Sequence, residues 1–267
     1  LAVSLTIGAN GSDTVFSGEL SGPGNLTKTG QGTLTLSGTN TFTGNTALAG
    51  GRLILDGVIS SPVLNANFGT LSGNGFAAGS LTVQPAATLA PGNPIGALSI
   101  GNDASVSGTT ILEIDRATTH DMLLVGGTLD LSGTLIITNV GPALAGGDSF
   151  QLLNAGTLNF NPTTIVLPEL TDDLFWDTNQ LATAGIISVI DPTPPVPPVL
   201  STSLNAENLL ITFQSESGVT YVLEATTNLV PPLLWIPQLT NQGDGSLMSL
   251  PVPIAADSQN FFRLLSR

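Results

Sequence analysis

The sequence predicts an all-β protein, a β-solenoid with a small β module behind it. Three observations carry this. Only 9% of the 267 residues are charged while 41% are hydrophobic, so solubility falls to Thr, Ser, Asn and Gly, the residues of strands and turns. A phrase Gly-x-Leu-x-apolar recurs as "GTLTLSG" (32–38), "GRLILDG" (51–57), "GSLTV" (79–83), "GALSIG" (96–101) and "GTLDLSGTLIITNVG" (127–141). Proline then concentrates in "DPTPPVPPVL" (191–200), where no strand ladder can run.

Each element follows in order. Within the repeated phrases apolar and polar residues alternate, as a strand with one buried face requires, and glycines mark the corners. Leu34, Leu53 and Leu71 are spaced by 19 and 18 residues, and Leu81 and Leu98 by 17; these intervals predict one coil per repeat. A single coil cannot bury its inward face, but stacked coils share a continuous core. Gly69 and Gly79 are only 10 apart, so some coils are short or share corners. The alternative is an up-and-down β-sandwich with long hairpins. In "GQGTLTLSGTNTFTG" (30–44) Leu34 and Leu36 point inward, the threonines outward, and Phe42 packs on the next coil.

From residue 142 the pattern loosens. "GDSFQLLNAG" (147–156), "TTIVLPEL" (163–170), "LFWDTNQL" (174–181) and "GIISVI" (185–190) read as strands and turns that close the solenoid, with Phe175 and Trp176 covering the last coil. The proline stretch reads as a polyproline II spacer of roughly 20–30 Å at about 3.1 Å per residue. Beyond it, "NLLITFQS" (208–215), "VTYVLEATT" (219–227), "LWIPQL" (234–239), "LMSLPVP" (247–253) and "NFFRLL" (260–265) alternate as strands, with Leu233 or Trp235 in the core and Phe261–Phe262 in a last strand. The domains are therefore a solenoid over 1–190, a linker over 191–200 and a small β-sandwich over 201–267.

Residues 21–57, "SGPGNLTKTGQGTLTLSGTNTFTGNTALAGGRLILDG", resemble the autotransporter-associated β-strand repeat, also called the passenger-associated transport repeat. The likeness runs through Gly22, Gly24, Leu26, Lys28, Gly30, Gly32, Thr33, Leu34, Leu36, Ser37, Gly38, Asn40, Thr41, Phe42, Thr43 and Gly44, and continues through Gly51, Leu53 and Leu55. "TLAPGNPIGALSI" (88–100) and "DMLLVGGTLDLSGTLIITNVG" (121–141) resemble passages that follow such repeats in secreted passenger proteins. The resemblance implies a right-handed parallel β-helix exported to the cell surface or beyond. No autotransporter-type membrane barrel follows here, and "FFRLLSR" lacks that barrel's terminal aromatic. The block "SGVTYVLEATTNL…W…FFRLL" resembles a small fibronectin-III-like module of large secreted bacterial proteins.

Composition excludes several roles. Five Lys and Arg stand against 19 Asp and Glu, a formal net charge of −14, so neither nucleic acid nor an anionic lipid surface is an expected partner. There is no cysteine, which removes disulfides, thiolate nucleophiles and Cys-based zinc sites. No apolar run approaches the roughly 20 residues of a membrane span. The start at Leu1, without a basic or signal-like segment, suggests a processed form or an excised piece.

Candidate chemistry is sparse. His120 is the lone histidine; a triad would need it with Asp121 or Asp115, yet no Gly-x-Ser-x-Gly elbow supplies a nucleophile, and a turn residue is the reading preferred. Glu113 and Asp115 stand two apart in "ILEID", followed by Arg116, a carboxylate pair of the kind β-helical polysaccharide enzymes use; an outward polar edge with a local ion pair is the simpler reading. Gly73-Asn74-Gly75 reads as a corner, since neither the calcium nonapeptide nor an EF-hand spacing is present. Asp172, Asp173 and Asp177 flank Phe175 and Trp176; a solvated loop is the reading preferred, with calcium bound between molecules as the alternative. Asn10-Gly-Ser and Asn25-Leu-Thr fit the N-glycosylation pattern.

No catalytic, cofactor-binding or metal residue is therefore assigned. The expected function is that of an extracellular structural or adhesive protein. It would self-assemble head-to-tail into filaments through β-edges, with itself and cell-surface glycans as partners. The alternative is a β-helical polysaccharide-active enzyme or a glycan-binding protein.

Overall fold

A computed structural model of the chain describes residues 3–171, 173–192, 198–205, 208–231, 233–253 and 259–266. The chain divides into two compact units, Leu1–Pro192 and Thr193–Arg267. The linker expected over 191–200 lies partly outside the described residues, at 193–197.

The first unit is a parallel β-solenoid of about six turns with three faces. On the first face, strand Leu26–Lys28 pairs with the leading half of Thr46–Leu55, which pairs with Val63–Gly73, then Ser80–Val83, Ala104–Val106 and the trailing half of Met122–Leu131. The second face runs through Thr33–Leu36, the rest of Thr46–Leu55 and Val63–Gly73, Ala87–Pro91, Thr109–Ile114 and Thr134–Asn139. The third is built from Thr39–Asn40, Val58–Ile59, Phe76–Ala77, Ala97–Ile100 and the leading half of Met122–Leu131. Every one of these pairings is parallel, which excludes the up-and-down sandwich.

Alternation along each strand turns into columns down the stack. Leu34, Leu53, Leu71, Leu89, Thr110 and Leu135 form one interior column; Leu26, Thr46, Leu64, Leu81, Ala104 and Leu129 form another. Leu34, Leu36 and Phe42 are fully buried, as expected. Outside, Thr33, Arg52, Thr70, Thr88, Thr109 and Thr134 stand in register on the second face. The 17-residue spacing of Leu81 and Leu98 needs correction. Leu81 stacks between Leu64 and Ala104 on the first face, whereas Leu98 stacks on Leu123 on the third. Both belong to the same coil, so their separation measures a path around the axis and not one step along it.

A three-stranded antiparallel sheet of Ser149–Gln151, Ile186–Ile190 and Phe175–Asp177 lies at the C-terminal end of the solenoid. Phe150, Ile187, Val189 and Leu181 of the helical turn Leu181–Ala184 join the solenoid core. The expected aromatic cover is split. Trp176 packs against that core and its indole N–H donates to the Pro168 carbonyl at 3.0 Å, while Phe175 is 49% exposed. Neighbouring strand residues face opposite sides, so only one of the pair can cover the end.

The second unit is a small β-sandwich. Ser201–Leu204, Asn208–Gln214 and Leu247–Pro253 form one antiparallel sheet; Ile236–Gln242, Thr220–Thr226 and Phe261–Ser266 form the other. Ile211, Phe213, Leu250 and Val252 of the first meet Tyr221 and Leu223 of the second. The expectation that Leu233 or Trp235 lies in this core is overturned. Leu233 is exposed, and Trp235 is half-buried 4.5 Å beneath the Arg263 guanidinium. Both residues precede the strand, which begins only at Ile236, and the indole serves as a cation–π platform. Phe213 and Tyr221, with ring centroids 4.8 Å apart, are the core aromatics.

Candidate functional site

The acidic residues singled out by the sequence do not form one cluster. Glu113 lies in strand Thr109–Ile114, but Asp115 lies beyond its end, where its carboxylate accepts from the Ala117 N–H and the Thr118 hydroxyl. The two-residue spacing puts them on one face only if the strand continues, and it stops at Ile114. Arg116 pairs with Asp148 at 3.1 Å, a partner 32 residues on in sequence that spacing does not reveal. His120 donates through Nε2–H to the Gln151 carbonyl at 3.0 Å and meets Phe150 edge-on. It ends the turn that leads back to Ile114, so it is a turn residue. Asn74 donates its N–H to Asp56 at the expected corner. Asp177 accepts from the Asn179 N–H; Asp172 lies outside the described residues. Asn10 and Asn25 accept from the N–H groups of Ser12 and Asn45. No group of three or more His, Cys, Asp or Glu could hold a metal among the described residues.

The residue that stands out is Asp121, which is 1% exposed. One carboxylate oxygen accepts from the Gly96 N–H at 3.0 Å and the other from the Glu113 N–H at 2.8 Å. It thereby ties the corner segment Pro91–Gly96 to the strand of the next coil. Gly92 in turn exchanges both backbone hydrogen bonds with Gly73, and the Asn93 amide donates to Asp56 at 2.8 Å. Burial pushes the Asp121 carboxyl up to about 6, with the charge of Glu113 adding to it and the two N–H donors opposing. Behind the segment lies a cavity of about 200 Å³ lined by Arg52, Ala90, Pro91, Gly92, Pro94, Ile111, Glu113 and Asp121. Arg52 enters it from three coils away and donates through Nε to the Ser72 hydroxyl at 2.9 Å.

A second polar constellation sits inside the solenoid. Lys28 occupies an interior column between Ile7 and Leu48 and is 1% exposed. Its Nζ donates to the carbonyls of Thr29 (2.7 Å), Gly30 (3.2 Å) and Gly50 (3.3 Å). Three donors meet three acceptors, which is what makes a buried ammonium tolerable. Burial lowers its pKa, with Asp13 opposing. The carbonyls converge because the chain turns there at positive φ, 66° at Gly30 and 68° at Gly51; a Cβ on Gly51 would stand 2.4 Å from the Gly30 oxygen and 2.8 Å from Nζ. Asn40, fully buried, bridges three coils by accepting from the Leu20 N–H and donating to the carbonyls of Gly38 and Val58.

Residues 26–55 match the passenger-associated-transport-repeat family. The match begins at Leu26 and includes the lysine, the glycines and the asparagine just described. This repeat on a parallel β-solenoid fits an autotransporter-associated repeat protein, a kind that is secreted or held at the surface. No curated protein matches the chain. Two polar residues of the repeat thus have structural work: Lys28 satisfies a corner of carbonyls and Asn40 pins neighbouring coils in register.

Sequence reasoning missed Arg52 and the part played by Asp121. The signal for Asp121 was an acid directly before an uninterrupted apolar run, "DMLLV". Arg52 gave none, because the residues that meet it come from coils 20 to 69 positions away.

Proposed function

We propose that the chain is a non-catalytic extracellular scaffold of the autotransporter-passenger type that joins to copies of itself through strand edges. Its reach comes from stacked coils, which gain length without new tertiary design. The observation that carries the joining step is the first coil. Strands Leu5–Ile7 and Thr14–Phe16 pair with Leu26–Lys28 and Thr33–Leu36 on one side only among the described residues. Leu5 donates inward to Asn25, and Ile7 accepts from Thr29, so the N–H and C=O of Thr6 between them face the open edge. Val15 stands in the same relation next to Phe16, whose carbonyl accepts from Ser37, and its side chain is 73% exposed. Such an edge accepts a further strand.

The experiment is assembly of the purified chain followed by sedimentation and electron microscopy across concentration. Thr6→Pro removes an outward N–H without touching an inner hydrogen bond, so it should leave the monomer folded and abolish assembly. Dispersed wild-type monomers at every concentration would refute self-joining. Recovery of the native protein from the cytoplasm of its source cells would refute the extracellular assignment.

A further inference from the structure

The cavity at the corner of the second and third faces carries opposite charges that do not meet. Arg52 belongs to strand Thr46–Leu55, and Glu113 to Thr109–Ile114, three coils further along the register through Thr70, Thr88 and Thr109. At about 4.8 Å per coil their strands are roughly 14 Å apart, and Glu113 stands four residues beyond the Thr109 column, roughly 13 Å along the strand. Arg52 spans part of this distance, held by Nε–H to Ser72. Arg52 and Glu113 both line the same cavity of about 200 Å³, and among the described residues neither the Arg52 terminal nitrogens nor the Glu113 carboxylate makes a hydrogen bond or ion pair. The floor between them is apolar, from Ala90 and Ile111, and Pro91 and Pro94 form a wall.

We propose that this corner is a binding site for a small zwitterion of the α-amino-acid type, its carboxylate on Arg52 and its ammonium on Glu113. A lone anion would gain Arg52 but face the field of two carboxyl groups; a lone cation would meet the reverse conflict. A neutral polyol would leave both charges uncompensated. Only a molecule carrying both signs matches the site at each end. Pockets for drug-sized ligands measure about 300–1,000 Å³, so the volume restricts the ligand to a handful of heavy atoms. Asp121 is a positioning residue: its oxygens are occupied by the Gly96 and Glu113 N–H groups, and it sets the wall and the strand on which Glu113 stands.

Titration of the folded chain with L-alanine, followed by calorimetry and by NMR of the Arg52 side chain and the 92–96 amides, tests this. Acetate, methylammonium and D-glucose serve as single-function probes. Binding of L-alanine with a Kd of about 1 mM is expected, with acetate and methylammonium at least about tenfold weaker. Arg52→Gln and Glu113→Gln should each weaken it about tenfold or more, while Arg52→Lys retains part of it. Arg52 is exposed and Glu113 half-buried with no hydrogen bond to its carboxylate among the described residues, so these variants keep the fold, and circular dichroism verifies that. No shift up to about 50 mM L-alanine, roughly fifty times that Kd, would overturn the proposal. So would glucose binding as well as L-alanine, or binding that survives both neutralising variants.

Discussion

Two threonines interrupt the leucine columns, and each carries a hydroxyl with no partner. Thr110 lies between Leu89 and Leu135 and Thr46 between Leu26 and Leu64; both are fully buried, and neither Oγ1 makes a hydrogen bond. A buried hydroxyl without a partner costs about 1–3 kcal/mol in lost hydration. Valine has the same branched shape, so Thr110→Val removes that cost with little cavity or overpacking, and a gain of about 1–2 kcal/mol is expected. For a unit of this size the gain raises Tm by roughly 2–8 °C and moves the urea midpoint up by about 0.5 M. Thr109→Val on the outward ladder is the control and should stay within about 0.5 kcal/mol of wild type. Thr46 and Thr110 lie three coils apart, about 14 Å, so the double valine variant should be additive. Urea unfolding followed by circular dichroism measures the wild type, the single variants Thr46→Val, Thr109→Val and Thr110→Val, and the double variant. A Thr110→Val protein no more stable than Thr109→Val would show that the interior hydroxyl is not an uncompensated burden, and the reasoning would fail.

Other expectations follow from the same geometry. Lys28→Met strands the Thr29, Gly30 and Gly50 carbonyls and should cost about 2–4 kcal/mol in urea unfolding, despite the apolar replacement. Asp121 titrates at about 6 when folded against 3.8 when free. The folded state therefore holds the extra proton between these values, and the stability it contributes, about 1.4 kcal/mol per unit, is present in acid and lost as pH rises from about 4 to 6. Asp121→Asn should flatten that slope in a pH series of unfolding midpoints. Trp176→Ala removes the cover and the bond to Pro168, and should cost about 2–4 kcal/mol, read as faster amide exchange in 149–151 and 186–190.

The solenoid was legible because its physics is local. Alternation and corner glycines give Leu34, Leu36 and Phe42 their burial before any partner is known, and one full repeat fixes the rest by likeness. The match of residues 26–55 to the repeat family added no new fold information to that pattern. Coil length was legible only where corners are tight. Between Leu89 and Thr110 the coil gains the segment Pro91–Gly96, and the spacing grows to 21, so interval counting drifted onto the wrong pair at Leu81 and Leu98. The candidate site was largely illegible, since Arg52, Glu113 and Asp121 come together through stacking and not through spacing. Trp235 shows the opposite limit: its apolar size suggested a core, but a cation 28 residues later at Arg263 takes its ring face.

The two ends of the solenoid are not equivalent, and this constrains how copies can join. At the C-terminal end the strand Thr164–Val166 is bracketed by Pro162 and Pro168, and an antiparallel sheet joins the core there; prolines and covers are the usual means of blunting an edge. Strands Leu5–Ile7 and Thr14–Phe16 carry no proline, and among the described residues Thr6 and Val15 have no strand beside their outer edge. In the joining proposed above, the proline-bracketed coil of Thr164–Val166 is therefore not the donor. A copy must supply its strand from elsewhere. In the sandwich, Leu247–Pro253 carries Pro251 and Pro253, Ile236–Gln242 carries Pro237, and Phe261–Ser266 carries Arg263. Ser201–Leu204 alone among these outer strands has neither proline nor charge, and its Leu204 is 73% exposed. A contact between that strand and the first coil of the next copy is heterologous and does not close, so it would extend into a filament. Leu204→Lys places a charge on the donor edge without disturbing a core residue. It should prevent assembly as completely as Thr6→Pro, and normal filaments from Leu204→Lys would assign the donor strand elsewhere.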